Sequence, residues 1–333
     1  MSDDYFKSTP TEALKSGNTI IKTPQYMFVS CSFSDQLRVK IYSSTFRSGF
    51  MNLKQVHLPK DAILSASFTL MDTSEEQVFL YLENHGLKSP FGNLYISDAN
   101  ARVFSLSMEN AIKGEAVDFE RVTSLDGTFL ANRYDDGHTH DPAFNKKFFG
   151  RDEFSEADII AEETRKSRMS RVVSSNESKK QEETKRQVFK IEDSVPASEV
   201  QENVRTYITH NKGARWELIR APADARIENK KKATECFIED GCSLHLEIYS
   251  HGGKLAPIYS TEKAIGLVLG TGNIGKRLTE NNQLKNLYLS RDGGLTWKTV
   301  KNGVYIYEIG DHGGLIAIAK KNVSTDAIEI SWD

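Results

Sequence analysis

The sequence predicts an all-β protein, more specifically a β-propeller built on Asp-box repeats. Three observations support this prediction: short strand-like runs recur along the chain, Asp-box motifs follow several of them, and the motifs are spaced by about one propeller blade. The runs are rich in aromatic and β-branched residues, and clusters of Gly, Asn, Asp and Ser suited to tight turns separate them. They read YMFVSCSF, QLRVKIYS, QVFLYLE, NLYISD, SLHLEIYS, AIGLVLG, NLYLSRD, GVYIYEIG and GLIAIAKK.

One segment, SRDGGLTW (Ser290 to Trp297), matches the Asp-box pattern S-x-D-x-G-x-T-W in full. We expect Asp292 to accept backbone N–H groups of the turn. Gly294 provides a position where a positive φ costs little, and Trp297 is expected to insert its indole between neighbouring sheets. We therefore interpret these residues, together with Thr296, as structural.

Weaker copies of the motif define a repeat. THNKGARW (Thr209 to Trp216) has Asn211 in the Asp position, and Ser331 opens a third copy. Counted from the Ser or Thr, successive copies are separated by 41, 54, 112, 41, 40 and 41 residues, and four of these six intervals equal the length of one four-stranded blade. The positions are Ser2, Ser43, Ser97, Thr209, Ser250, Ser290 and Ser331.

The interval of 112 residues contains a charged segment. Residues 151–190 include no Gly, Pro or Trp and are dense in charge of both signs, so they cannot bury enough apolar surface to offset the entropy of ordering. No apolar heptad persists, which argues against a coiled coil. We predict a flexible insertion with partial helix at 150–205, between a first set of blades at 1–149 and a second at 206–333, in one incomplete domain.

The composition excludes several classes of protein. With 43 Lys and Arg against 46 Asp and Glu, the net charge is −3, so no nucleic-acid partner is expected. No run approaches the ~18 apolar residues of a transmembrane helix, and no signal peptide is present; as written, the chain is expected to have no membrane span and to remain cytoplasmic. Three cysteines exclude a disulfide-dense scaffold and a four-cysteine zinc site. Cys31, in an apolar strand, is expected to be a buried free thiol.

A glycine-rich stretch, Gly270-Thr-Gly272-Asn-Ile-Gly275, matches the pattern G-x-G-x-x-G. A dinucleotide site needs a helix to follow, whereas the next residues, KRLTENNQLKN, are short and polar. Arg277 also stands where a P-loop requires Ser or Thr. We predict a glycine-rich turn at a strand end, and no cofactor.

The stretch YDDGHTHD (Tyr134 to Asp141) is a candidate metal site. His138 and His140 could chelate a divalent ion together with Asp141. Polar surface loops carry such residues without any ligand. We expect a solvated loop, with metal binding as the alternative.

Asp boxes also occur in sialidases, so an enzymatic function is an alternative. That chemistry needs an arginine cluster, a tyrosine nucleophile with its glutamate base, and an acid. The nearest match to the Arg-Ile-Pro signature of sialidases is Arg226-Ile-Glu, and no catalytic constellation is recognisable. We predict a binding protein and no enzyme; the alternatives are a propeller glycoside hydrolase and a relic without cargo binding.

Several segments in a fixed order carry a family resemblance. They are PFGNLYISD, FERVTSLDGTFLANRY, CFIEDGCSLHLE, GLVLGTGNIGKRL, NLYLSRDGGLTWKTV and YIYEIGDHGGLIAIA. This ordered set resembles the sortilin-type vacuolar sorting receptors, especially their fungal carboxypeptidase-sorting members. The resemblance extends from about Ser2 to Asp333.

The resemblance implies a ten-bladed propeller whose tunnel holds peptide segments of soluble vacuolar hydrolases, in the lumen of Golgi and endosomes. It also implies a disulfide between Cys236 and Cys242, and it makes the sequons at Asn176 and Asn322 candidate glycosylation sites. About six blade lengths are present, so we expect a truncated or fragmentary member. Such a chain would form an open arc with an incomplete last blade and possible self-association.

Overall fold

The computed structural model describes residues 7, 14, 17–32, 39–48, 52–60, 62, 68–83, 90–135, 203–223, 225–229, 232–248, 258–321 and 323–332. They belong to one compact unit, Met1–Asp135 with Ala197–Asp333; a second unit, Asp136–Pro196, lies outside these ranges. As predicted, the described chain is built almost entirely of antiparallel sheets. Within it, no helix has the length and apolar character needed to cross a bilayer.

The described residues form four sheets and one separate hairpin. One sheet has eight strands and comprises two blades, so we number the blades 1 to 5. Blade 1 contains β1 (Gly17–Lys22), β2 (Tyr26–Ser32), β3 (Val39–Thr45) and β4 (Lys54–Gln55). Blade 2 contains β5 (Phe68–Asp72), β6 (Phe79–Leu82), β7 (Phe91–Ser97) and β8 (Phe104–Ile112). Blade 3 contains β9 (Phe119–Arg121), β10 (Phe129–Tyr134), β11 (Val204–Thr209) and β12 (Glu217–Leu218).

The hairpin consists of β13 (Arg226–Asn229) and β14 (Lys232–Glu235). Blade 4 contains β15 (Ser243–Leu246), β16 (Ile258–Ser260), β17 (Val268–Gly275), β18 (Asn286–Ser290) and β19 (Lys298–Asn302). Blade 5 has three strands in the described ranges: β20 (Tyr305–Gly310), β21 (Leu315–Lys320) and β22 (Glu329–Trp332). Short 3-10 helices occur at Phe46–Ser48, Ile238–Asp240, Asn282–Leu284 and Asp311–Gly313.

In blades 3 and 4, the second strand of the blade pairs with two different strands on the same side. The first part of β10 pairs with β9, whereas Arg133 near its end pairs with Ala111 of β8. Blade 4 repeats the arrangement, because β16 pairs with residues 268–270 of β17 and β15 pairs with residues 272–275. The Arg133–Ala111 pair also links the ladders of blades 2 and 3.

The hydrophobic core lies between consecutive blades. Phe28 of blade 1 and Leu80 of blade 2 share one cluster, and Leu269 of blade 4 shares another with residues of blade 5. Between blades 2 and 3, the rings of Phe79 and Phe129 have their centroids 4.7 Å apart. Each large buried side chain contributes about 1.5–3 kcal/mol, so the stacking of sheets supplies the stability. Cys31 in β2 is a free and fully buried thiol, as expected.

The segment from residue 136 to 202 leaves blade 3 between its second and third strands. β10 and β11 pair along their whole length and end with Tyr134 opposite Val204. Beyond this pair, the Asp135 N–H donates to the carbonyl of Asn203 (2.8 Å), so the two ends of the segment are held side by side. The flexibility predicted for 150–205 concerns residues that lie almost wholly outside the described ranges, and it stays a prediction.

The interpretation of the glycine-rich stretch as a turn is wrong, because Gly270, Gly272 and Gly275 lie within strand β17. The reason is steric. A Cβ atom at Gly272 would lie 1.9 Å from the carbonyl oxygen of His245, and one at Gly270 would lie 2.9 Å from Ile258 Cδ1. Glycine is required here because neighbouring strands approach the backbone of β17 closely.

We predict that Gly272→Ala lowers the free energy of unfolding by about 3 kcal/mol, because the new methyl group would overlap the backbone of β15. Gly275→Ala is the matched control in the same strand. Its Cβ would meet nothing closer than 3.6 Å, so its effect should stay within about 1 kcal/mol. Urea unfolding of both variants measures the difference. Equal effects would contradict the close approach of β15 and β17.

Candidate functional site

The Asp box of blade 4 joins β18 to β19 and is closed by side-chain oxygens. The Ser290 hydroxyl donates to Asp292 Oδ1 (2.8 Å) and accepts from the Gly294 N–H (2.8 Å). The Asp292 carboxylate accepts from the Thr296 N–H (2.8 Å) and from the Thr296 hydroxyl (2.6 Å). Gly294 has a φ of 95°, which only glycine adopts at little cost.

The Asp292 carboxylate is held in its ionised form. Partial burial raises its pKa, but hydrogen bonds from Thr296 and Ser290 outweigh this effect and bring the pKa below its ordinary value. The negative charge of Asp292 therefore stabilises the turn through these hydrogen bonds.

Trp297 fills the space between blades 3 and 4. Its side chain is 4% exposed and belongs to a core cluster with Leu130 and Ile208 of blade 3 and Tyr288 of blade 4. The indole Nε1 donates to the Gly294 carbonyl (3.0 Å). The polar atom of the ring is thus satisfied inside the box while its apolar surface packs in the core.

A second box joins β11 to β12 and repeats this geometry with Asn in place of Asp. The Thr209 hydroxyl donates to Asn211 Oδ1 (2.9 Å) and accepts from the Gly213 N–H (3.0 Å). Asn211 Oδ1 also accepts from the Arg215 N–H (2.9 Å). The motif therefore needs one acceptor oxygen to form the turn; the second oxygen of Asp292 adds the bond to the Thr296 hydroxyl.

The repeat positions occupy one place in the fold, namely the third strand of each blade. The spacing of 40 or 41 residues thus corresponds to one blade. Ser2 and Ser250 lie outside the described residues. The others are Ser43 in β3, Ser97 in β7, Thr209 in β11, Ser290 in β18 and Ser331 in β22.

The turns of blades 1 and 2, whose motifs are degenerate, keep only part of the hydrogen bonding of the boxes. In blade 2 the acceptor is Asp98, whose carboxylate accepts from the Arg102 N–H (2.7 Å). In blade 1, the Ser43 hydroxyl donates to the carbonyl of Ala101 in the turn of blade 2 (2.6 Å). The loss of the motif in the sequence corresponds to a different local structure.

Each box turn also contacts the blade that precedes it in the chain. A Cβ atom on Gly294 would lie 2.5 Å from Ile208 Cδ1 of blade 3, and one on Gly213 would lie 2.7 Å from Phe79 Cε1 of blade 2. Trp216 Nε1 extends the second contact by donating to Ser107 Oγ of blade 2 (2.9 Å). These turns form joints between consecutive blades.

The first strands of the blades, which together we call the first-strand edge, are β1, β5, β9, β16 and β20. It carries exposed side chains, among them Ile20, Thr69 and Glu308. Polar bonds connect neighbouring members: Thr123, just after β9, donates through its N–H to Ser260 Oγ (2.9 Å) and through its hydroxyl to the Ser260 carbonyl (2.8 Å). This edge therefore combines accessible side chains with polar contacts between blades.

The first-strand edge carries the carboxyl groups of Asp72, Glu120 and Glu308 beside the basic residues Lys22 and Arg121. Burial, followed by the charge of Asp72 at the end of β5, raises the pKa of Glu120 in β9 to about 7. On the next pair of blades, the Tyr259 hydroxyl donates to Glu308. Carboxylates on adjacent first strands therefore favour cationic or hydrogen-bond-donating ligand groups.

Cys236 and Cys242 are joined by a disulfide that closes a short loop before β15. Gly241 in this loop has a φ of 75°, and its carbonyl accepts from the Arg205 guanidinium of blade 3 (2.9 Å). Arg205 also donates to the Lys276 carbonyl (3.0 Å). The loop is thereby tied to the start of β11 and to the end of β17.

His245 in β15 is fully buried where blades 3 and 4 meet. Its Nδ1 accepts from the Thr206 N–H (3.2 Å), and its Nε2 lies 3.1 Å from the Gly275 carbonyl, which assigns the ring proton to Nε2. Burial lowers the pKa of His245 to about 4, although the bond to Gly275 acts in the opposite direction. No sequence motif marks this residue, because its role depends on contacts between distant strands.

The other residues singled out from the sequence lie partly inside and partly outside the described ranges. In the ranges that the structure covers, no group of three or more His, Cys, Asp or Glu is arranged to hold a metal. Arg226, the nearest match to the sialidase signature, lies in hairpin strand β13. The remaining candidates are outside the described residues: His138, His140, Asp141, Asn176 and Asn322.

Stacked antiparallel blades joined through Asp-box turns define the class of Asp-box β-propellers, here a partial propeller. Within that class, the chain belongs to the sortilin family: the family model described as sortilin, neurotensin receptor 3, matches residues 1–149 and 184–333. The match confirms the resemblance derived from the ordered segments. Residues 150–183, inside the predicted insertion, fall outside it.

Curated relatives carry the names of sorting proteins. The chain is 28% identical over 281 residues to a vacuolar protein sorting/targeting protein 10 of Aspergillus clavatus, covering 82% of this chain and 15% of the relative. It is 26% identical to the protein of the same name from Leptosphaeria maculans, covering 100% and 19%. An uncharacterized membrane glycoprotein of Saccharomyces cerevisiae is 26% identical, covering 100% and 25%. The chain thus spans a quarter or less of these relatives.

Among solved structures, the chain is similar to the β-propeller domain of the Trilobed protease from Pyrococcus furiosus, with 10% identity and a TM-score of 0.26, covering 96% of this chain and 82% of that one. At this TM-score the similarity bears neither on the fold nor on the function of the chain.

We predict that Trp297→Ala lowers the free energy of unfolding by about 3–5 kcal/mol, because the indole is buried between two blades. Leu295→Ala is the control in the same turn, since Leu295 is 59% exposed; its effect should stay within about 0.5 kcal/mol. Thermal and urea unfolding measure both. A near-neutral Trp297→Ala variant would show that the box does not anchor the joint.

We predict that His245 contributes to stability above pH 6.5 and that this contribution is lost as the pH falls towards 4. The pKa of His245 is lower in the folded protein than in the unfolded chain, so acid favours proton uptake by the unfolded state. One such group changes the free energy of unfolding by about 1.4 kcal/mol per pH unit in this window.

Urea unfolding of the parent chain, of His245→Gln and of the exposed control His312→Gln between pH 4 and 7.5 measures this dependence. The slope should flatten only for His245→Gln. Parallel profiles for all three proteins would contradict the assignment.

Proposed function

We propose that this chain contributes ligand-binding surface to a sorting receptor, and that its ligands are peptide segments of soluble vacuolar hydrolases. The observation that carries the proposal is family membership: nine-tenths of the chain matches the sortilin model, and relatives are named vacuolar protein sorting/targeting proteins. The sorting-receptor role is the family's; the cargo class is our inference.

We propose the first-strand edge as the contact surface. In propellers the blades surround a central channel, and one edge of each blade faces it. The first-strand edge has exposed Thr69 and the carboxyl groups of Asp72 and Glu120.

We also propose that the chain functions in the lumen of Golgi and endosomes. The Cys236–Cys242 disulfide suits an oxidising compartment. The expectation of a cytoplasmic chain has no support from the relatives, one of which is named a membrane glycoprotein.

The test uses the full chain, secreted from yeast so that the disulfide can form, and an array of overlapping peptides covering a vacuolar hydrolase. Fluorescence anisotropy should detect peptides that bind. Thr69→Arg on the first-strand edge should weaken binding at least about tenfold through steric and charge changes. Thr299→Arg, the same change at an exposed position of β19, should leave it unaltered.

Absence of peptide binding, or equal losses for the two arginine variants, would contradict the proposal. Turnover of sialosides that disappears on substitution of a single carboxylate would favour the hydrolase alternative instead.

A further inference from the structure

The hairpin β13–β14 is a separate two-stranded sheet within the described residues. The chain that carries it leaves blade 3 after β12 and enters blade 4 at β15. The start of this connection is held by the Leu244 N–H, which donates to the Ile219 carbonyl (2.9 Å). Its end is held by the disulfide between Cys236, directly after β14, and Cys242, directly before β15. The disulfide therefore ties the hairpin to blade 4.

The residues 236–242, which we call the disulfide loop, contain one turn of backbone hydrogen bonds. The N–H groups of Asp240 and Cys242 donate to the Phe237 carbonyl (3.1 and 3.0 Å). The side chain of Phe237 is 50% exposed, and Glu239 and Asp240 are exposed as well. The side chains in solvent contribute little hydrophobic stabilisation, so the conformation of the loop depends strongly on its covalent bond.

Arg205 of β11 connects the disulfide loop to the joint between blades 3 and 4. Its guanidinium donates to the Gly241 carbonyl in the loop (2.9 Å) and to the Lys276 carbonyl at the end of β17 (3.0 Å). Its Nη1 lies 3.6 Å from Asp135 Oδ2, just after β10. One side chain thus contacts the disulfide loop, blade 4 and the point at which residues 136–202 leave blade 3.

The two cysteines differ in their access to solvent. Cys242 is 4% exposed, whereas Cys236 is partly exposed, so a thiol in solution reaches the Sγ atom of Cys236. Its thiolate bonds to this sulfur and breaks the S–S bond, and Cys242 leaves as a thiolate that takes up a proton. A second thiol group then displaces Cys236. The two thiols of the reductant become a disulfide, and their two electrons and two protons pass to the cysteines.

We propose that the Cys236–Cys242 disulfide is a redox-sensitive latch on the joint between blades 3 and 4, opened by thiols through exchange at Cys236. Opening frees the hairpin β13–β14 from blade 4 and removes the restraint that places the Gly241 carbonyl beside Arg205. The contact and the disulfide stabilise each other, because Arg205 meets this carbonyl only while the loop is closed.

The blades stay folded when the latch opens. A disulfide that closes a short loop restrains the unfolded chain less than one that closes a long loop, and the core between blades 3 and 4 is built from strand residues such as Ile208 and Leu246. Opening is therefore a local change, of the kind that amide hydrogen exchange detects.

The full chain, secreted from yeast and placed without denaturant in mixtures of reduced and oxidised dithiothreitol, tests the proposal. Alkylation by iodoacetamide and mass spectrometry should show Cys236 and Cys242 labelled together as the reduced fraction rises. Cys31 is an internal control, since this free thiol is fully buried and should stay unlabelled. Circular dichroism should not change.

Hydrogen exchange locates the effect of reduction. Amides of residues 232–246 should exchange at least about tenfold faster in the reduced protein, while those of β2 in blade 1 stay unchanged. The double variant Cys236→Ser, Cys242→Ser should show the same pattern without any thiol. Reduction that occurs only in urea, or exchange that rises equally in all blades or not at all, would overturn the proposal.

A substitution of Arg205 tests the coupling between its contact and the disulfide. Arg205→Gln should lower the ratio of reduced to oxidised dithiothreitol at half-reduction at least about fivefold, because the closed loop loses a hydrogen bond from a charged donor. Arg215→Gln is the matched control: Arg215 is 77% exposed in the box of blade 3 and pairs with Glu217. Equal ratios for these two variants would contradict the role of Arg205.

Discussion

The contact between an Asp-box turn and the preceding blade is the constraint on which the rest of this structure depends. In two boxes the turn approaches the neighbouring sheet so closely that only glycine fits, at Gly213 against Phe79 and at Gly294 against Ile208. Both glycines also have positive φ. Such an approach buries backbone N–H groups of the turn. The Ser or Thr hydroxyl and the Asp or Asn oxygen of the same motif accept the hydrogen bonds of these N–H groups.

The two boxes show which chemistry the joint requires. Asn211 offers one acceptor oxygen and is followed at the seventh motif position by Arg215, which has no hydroxyl. Asp292 offers two oxygens and is followed by Thr296, whose hydroxyl donates to the second (2.6 Å). The acceptor and the seventh residue thus match each other within each copy. If Asn stood at the third motif position and Thr at the seventh, the Asn amide NH2 group would face the Thr hydroxyl. That hydroxyl would then have no carboxylate oxygen to which it could donate.

The sequence was sufficient for the class of fold and for the repeat, because strand patterns and box turns are local. It was insufficient where distant strands set the environment. The glycine pattern of β17 predicts a turn, because the carbonyl of His245 that excludes a side chain at Gly272 lies in another strand. For the same reason no pattern indicated His245 itself, or the acidic pair formed by Asp72 and Glu120 from two blades.

The direction of the strands separates the connection over residues 136–202 from the joints of blade 3. The box follows the third strand, β11, whereas residues 136–202 follow the second, β10. Because successive strands are antiparallel, these two connections emerge at opposite ends of the blade. At the insertion end, the pairing of Tyr134 with Val204 and the Asp135–Asn203 bond close the ladder. Lengthening a loop between ends that are already fixed adds little closure entropy, so this end can vary while the box end, which is packed against blade 2, cannot.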